Sequence, residues 1–101
     1  MERMDRPKVS GYRKLSDDEA LLMNEAKEAG EALMTVHAKI KAHVAGQRHT
    51  CHTALLASER SEESARLDNA EPERWLAMAR TDIQVGVMKL VRAVAQPTGG
   101  V

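Results

Sequence analysis

Phenylalanine is absent from this chain, and tryptophan and tyrosine occur once each. Large aromatic side chains usually carry much of a core's burial. Here Ala, Leu, Val, Ile and Met must do that work, with Ala alone present 15 times. At 101 residues there is room for one domain, which buries roughly 65% of the surface its unfolded chain exposes. So thin a core predicts self-association, a standard remedy. Net charge is missing as well, since 15 Lys+Arg balance 15 Asp+Glu. That balance argues against bulk DNA or RNA binding, where a strongly basic face is normal. The single cysteine, Cys51, makes no internal disulfide and fits a reducing compartment. No apolar run approaches the roughly 20 residues of a membrane helix, and MERMDRPK lacks the apolar stretch of a secretory signal. A cytoplasmic protein without membrane partners is expected.

What is present is mostly helical. Residues 1–10 are basic and irregular and read as a flexible arm. Pro7 and Gly11 discourage a helix there. Ser16 with Glu19 three residues on is a capping box, and Asp17 and Asp18 suit the positive end of a helix. Leu22, Ala26, Ala29, Leu33, Val36 and Ile40 then recur at a/d-type spacing, predicting a helix over about 17–44 with this seam packed on a partner helix. Residues 45–70 lack clear periodicity and read either as a short helix between loops or as a partly disordered insertion. Pro72 sits where a first helical turn tolerates it. From Trp75 to Ala95 two apolar faces alternate, one with Leu76, Ala79, Ile83, Val87, Leu90 and Val94, the other with Trp75, Met78, Val85 and Met88. A helix apolar on two sides is buried on two sides, and one antiparallel neighbour covers only one. The expected fold is all-α: a single helical hairpin domain over 11–97, self-associated into a homo-oligomer, with a flexible tail at 98–101.

Charge is blocky along the chain. Residues 16–31 hold six acids and one base, Lys27, whereas 74–92 hold Arg74, Arg80, Lys89 and Arg92 with one acid, Asp82. Such blocks read first as oppositely charged faces that meet in the hairpin or between subunits. Arg80 and Thr81 differ, because they interrupt an apolar helix. A buried Arg there needs a carboxylate, a carbonyl or an anionic ligand, and Arg beside a hydroxyl donor is a usable phosphate clasp. Tyr12 either staples the arm to the first helix or stacks on a base. His49, Cys51 and His52, with His37 and His43 upstream, match no closed tetrahedral metal set. No nucleophile with an oriented base and no paired-carboxylate site emerges, so no metal, no cofactor and no enzyme activity are expected.

The blocks YRKLSDDEALLMNEAKEAGEAL (12–33) and PERWLAMARTDIQVGVMKLVRAVAQP (72–97) resemble the small phage anti-CBASS proteins that sequester cyclic oligonucleotides. Together they cover about half of the chain. The resemblance implies helical hairpins interlocked into hexamers, in the cytoplasm of an infected bacterial host. Such assemblies bind cyclic dinucleotides such as cGAMP between protomers without cleaving them, and some members also hold cyclic trinucleotides. Carried over, Tyr12 matches the base-stacking tyrosine and Lys27 the lysine that faces the phosphates. Arg80 and Thr81 match phosphate contacts, and Gln84, one turn on, is a weaker candidate. Segment 45–70 is longer than the family connection and takes no site role. A competing reading is a helical adaptor that binds a protein partner through its apolar faces. Base, ring-size and linkage preference are not written in the residue pattern.

Overall fold

The computed structural model describes residues 13–54 and 56–98. Three α-helices follow in order: α1, Asp17–Thr53; α2, Ala57–Ala70; and α3, Pro72–Ala95. No strand occurs among the described residues. The expected arm, Tyr12 and the last residues of the expected tail lie outside the described residues.

The capping box forms as expected. Ser16 Oγ accepts from the Glu19 amide at 3.2 Å, and Glu19 Oε1 accepts from the Ser16 amide at 2.8 Å. From this start α1 runs to Thr53, nine residues beyond the expected end near 44. No proline interrupts it, and its last turns pack against α2, so that Val44 and Cys51 are buried there. The undecided segment is therefore the end of α1, a short connection and a 14-residue helix. The polar α2 returns along α1 and buries one side chain fully, Leu67 at 2% exposure.

Both helix breaks on the return path follow one rule. Glu71 (φ 51°) and Gln96 (φ 50°) are the non-glycine residues with positive φ among those described. Each precedes a proline, Pro72 or Pro97, which disfavours the right-handed helical region for the residue before it. Each caps its helix through its own amide, Glu71 donating to Leu67 O at 3.0 Å and Gln96 to Arg92 O at 2.8 Å. The return arm is thus one helical path broken at Glu71.

Antiparallel packing of α1 on α3 is tightest at Gly30, which is buried. A methyl group there would lie well under 3.0 Å from Val87 Cγ2, so only glycine admits this approach. His37 Nε2–H donates to Leu76 O at 2.7 Å. At the open end Arg13 donates to Val94 O at 2.9 Å and Ala95 O at 3.2 Å, and pairs with Glu19. That guanidinium, helped by the Ser16 amide, lowers the Glu19 carboxyl from 4.5 to about 2. At the closed end Arg48 of α1 forks onto Glu73 of α3 at 2.8 and 3.0 Å and reaches Asp68 of α2 at 2.7 Å. One arginine therefore ties all three helices.

Two expectations need correction. Apart from Ala26, the α1 seam does not face α3: Leu22, Leu33, Val36 and Ile40 are 47–53% exposed. The line that meets α3 is Met23, Ala26, Gly30, Met34 and His37, about a quarter of a turn away at roughly 100° per residue. It mixes small residues and Met, so helix proximity at Gly30, not the size of the apolar side chains, selects it. On α3 the first face packs inward except for Leu90, 58% exposed, while Trp75, Met78 and Met88 point outward as the second face predicted.

Candidate functional site

The two flanks of the α1–α3 hairpin differ in chemistry. Helical-wheel geometry at about 100° per residue sets Leu22, Leu33, Val36 and Ile40 on the same flank as Trp75 and Leu90, with Ala29, Ala79 and Gly86 between them. That flank is apolar, exposed and lined with small residues. Lys27, Glu31 and Lys41 of α1 lie on the opposite flank with Ala77, Arg80 and Gln84 of α3. Residues four apart, such as Lys27 and Glu31 or Arg80 and Gln84, stack on one helix face and gather polar groups there.

Two depressions open on the polar flank. A groove of about 440 Å³ is lined by Lys27, Glu31, Gln84 and a floor of Gly30, Met34, Ile83 and Val87. The close approach at Gly30 forms that floor, so the packing contact and the groove share a cause. Lys27 and Gln84, 57 positions apart in sequence, meet here. A smaller cleft of about 190 Å³ lies towards the closed end, lined by His37, Lys41, Glu73, Leu76, Ala77 and Arg80.

Of the expected site residues, Lys27 and Gln84 share the groove, and Arg80 lines the neighbouring cleft. Arg80 is exposed rather than buried, because the α3 line that meets α1 runs through Leu76, Ala79, Ile83 and Val87. It has no carboxylate partner among the described residues. Thr81 is exposed and its hydroxyl donates to Ala77 O at 3.4 Å, so it does not reach either depression. Tyr12 lies outside the described residues. Sequence reasoning missed Glu31, Lys41 and His37. A signal existed: no acid occurs from Ala32 to Ser58, while this stretch carries three cations and every histidine.

Cys51 is buried and donates to Arg60 O at 3.3 Å. Among the described residues no group of three or more His, Cys, Asp or Glu is placed to hold a metal. The α1–α3 ion pair of Arg48 with Glu73 has the base on α1 and the acid on α3, the reverse of the charge blocks. Among the described residues no helix is long and apolar enough to cross a membrane.

The apolar flank, the polar flank and the two-helix frame run the length of a match to known proteins. Residues 4–95, with segment 45–70 among them, match the family model described as "Acb2/Tad1, hairpin domain". A relative from Pseudomonas phage JBD67, named "Anti-CBASS protein 2", is 42% identical, with 91% of this chain and 94% of the relative covered. The chain belongs to the Acb2/Tad1 hairpin-domain family.

Proposed function

We propose that the protein is a phage anti-CBASS protein that works as a sponge. It binds cyclic dinucleotide second messengers, and in some cases cyclic trinucleotides, without cleaving them, and so withholds the signal of CBASS immunity. Family membership supports the anti-CBASS role, the relative being named for it. The observation that carries the sponge mechanism is the groove that joins Lys27 and Gln84 over an apolar floor. A lysine faces a phosphate, an amide reads a base edge, and an apolar floor receives a flat ring.

One groove offers half of what the ligand needs. A cyclic dinucleotide has two phosphates and two bases, and a second copy related by a two-fold axis repeats every contact. The apolar flank supports such assembly. That flank presents Leu33, Val36 and Ile40 at 47–53% exposure, apolar surface that a second copy would cover. Homo-oligomers, with a hexamer as the proposed state, bury it. Tyr12 is proposed as the stacking aromatic, where one base on one ring contributes about 1–3 kcal/mol. Arg80 and Thr81 are proposed phosphate contacts, Arg80 with the more open placement. The host cytoplasm is the proposed site of action.

The test is calorimetric titration of cGAMP into the wild type and Lys27→Ala, with oligomer mass measured by light scattering. Loss of a charge-assisted contact predicts at least about tenfold weaker binding in an oligomer of unchanged mass. Equal binding by Lys27→Ala removes the groove from the site. A helical adaptor, the competing reading, binds no nucleotide in either form.

A further inference from the structure

Arg13 lies outside every helix, yet its side chain ties the two long helices together at the open end of the hairpin. The last carbonyls of α3 have no partner within their own helix. Arg13 takes two of them, Nη2–H donating to Val94 O at 2.9 Å and Nε–H to Ala95 O at 3.2 Å, across 81 and 82 positions of sequence. The same guanidinium pairs with Glu19 in the first turn of α1. Each charge thus sits at the helix end it complements, the acid at the start of α1 and the cation at the end of α3. Glu19 is held in turn, since its Oε1 accepts from the Ser16 amide at 2.8 Å. The chain is therefore fixed to both helices three residues before the Ser16 cap.

This anchor stands next to the one tyrosine of the chain. Tyr12 is joined to Arg13 by a single peptide bond, which sets their Cα atoms about 3.8 Å apart. A stacking ring on a free arm would have to be ordered when ligand binds, and fixing one backbone residue weakens binding about tenfold. We propose that Arg13 is a positioning residue: by bridging Val94 O, Ala95 O and Glu19 it presents Tyr12 to the cyclic nucleotide in advance of binding. The inference rests on the sponge reading and on Tyr12 as its stacking ring. Arginine suits the task because one planar fork serves a carboxylate and two carbonyls at once, whereas a lysine ammonium is a mobile point charge. A residue that only capped α3 would stabilise the hairpin and leave Tyr12 as it was.

The first test needs no ligand. With one tyrosine in the chain, the full-length protein made with isotope-labelled tyrosine gives one amide signal, whose NMR order parameter reads the root of the arm. Expected are about 0.85 in the wild type, as for rigid backbone, and below about 0.6 in Arg13→Met. A value below about 0.6 in the wild type, or no change in the variant, overturns the inference. The second test titrates cGAMP by calorimetry into the wild type, Arg13→Met, Tyr12→Ala and the double variant. Arg13→Met is expected to bind about tenfold more weakly, and to add nothing in the Tyr12→Ala background, because it acts through the ring. Equal losses in both backgrounds, or no loss in Arg13→Met, overturn the inference and leave the sponge reading standing. A wild type that binds no cyclic nucleotide overturns both. Lys14→Met removes a charge at the next position and is expected to bind as the wild type. A loss there equal to that of Arg13→Met makes charge the cause and overturns the inference. Glu19→Gln retains the acceptor of the capping box but removes the charge that holds Arg13. It is expected to weaken binding about two- to fivefold, and unchanged affinity overturns the part given to Glu19. Circular dichroism and light scattering show that each variant is folded and keeps its mass.

Discussion

Replacing Gly30 by alanine isolates the packing on which both the hairpin and the groove depend. Two effects oppose each other. Alanine in a helix interior gains about 1 kcal/mol over glycine. The new methyl, however, would stand well under 3.0 Å from Val87 Cγ2. Valine in a helix has essentially one rotamer, so the methyl cannot swing aside and the helices must separate. Overpacking of this kind costs about 1–3 kcal/mol, and the net expectation is a loss of about 0–2 kcal/mol. Val87→Ala removes the clashing atom, so Gly30→Ala in that background should regain the propensity and stabilise. The four proteins of this double-mutant cycle, unfolded in urea, should show a coupling of about 1–3 kcal/mol. Gly46→Ala is the control: a methyl there meets nothing within 4 Å, and about 1 kcal/mol of stabilisation is expected. If Gly30→Ala stabilises equally with and without Val87, the close approach is refuted. The floor of the Lys27 groove then loses its basis.

Other outcomes follow from the same contacts. Leu67→Ala, at the side chain that is 2% exposed, should cost about 2–5 kcal/mol. In a scanning melt this is a drop of roughly 10–20 °C, and a drop of a degree or two contradicts the docking of α2. The carboxyl of Glu19, held at about 2 instead of 4.5, favours the folded state above pH 4.5. As pH falls from 4.5 through about 2 that contribution disappears, and a titration of the Glu19 carboxyl by NMR with a midpoint near 4.5 removes it. Leu33→Glu/Ile40→Glu places two charges on the apolar flank, at positions 53% and 47% exposed in the protomer. Light scattering should then report a smaller species that remains helical, and an unchanged mass shows that this flank is not the assembly surface.

Local signals were legible and long-range ones were not. The capping box at Ser16 and the Pro72 start of α3 are written in neighbouring residues, and both stand where the sequence puts them. Hydropathy chose the wrong line on α1, because Leu33 and Ile40 outweigh Gly30 in any apolar count. Gly30 matters only when Val87, 57 residues away, arrives opposite it. The helix α2 has no periodicity to read. It is held by Leu67 and by Arg48, whose partners Asp68 and Glu73 lie 20 and 25 residues away. At the site, Lys27 and Gln84, drawn from two separate blocks, line one groove. Arg80 was expected to be buried, because the turn of α3 that meets α1 could not be fixed without its partner. Lys41 was overlooked as one more solvated lysine, since nothing in the sequence shows that Arg48 occupies the acid beside it.

The most direct measurement is titration of the purified protein with a panel of cyclic di- and trinucleotides, followed by heat denaturation and chromatography of the released ligand. Tight binding of at least one cyclic dinucleotide, and its recovery unchanged, are expected. Recovery of a cleaved product would make the protein a hydrolase, and absence of binding by every member of the panel would contradict the sponge.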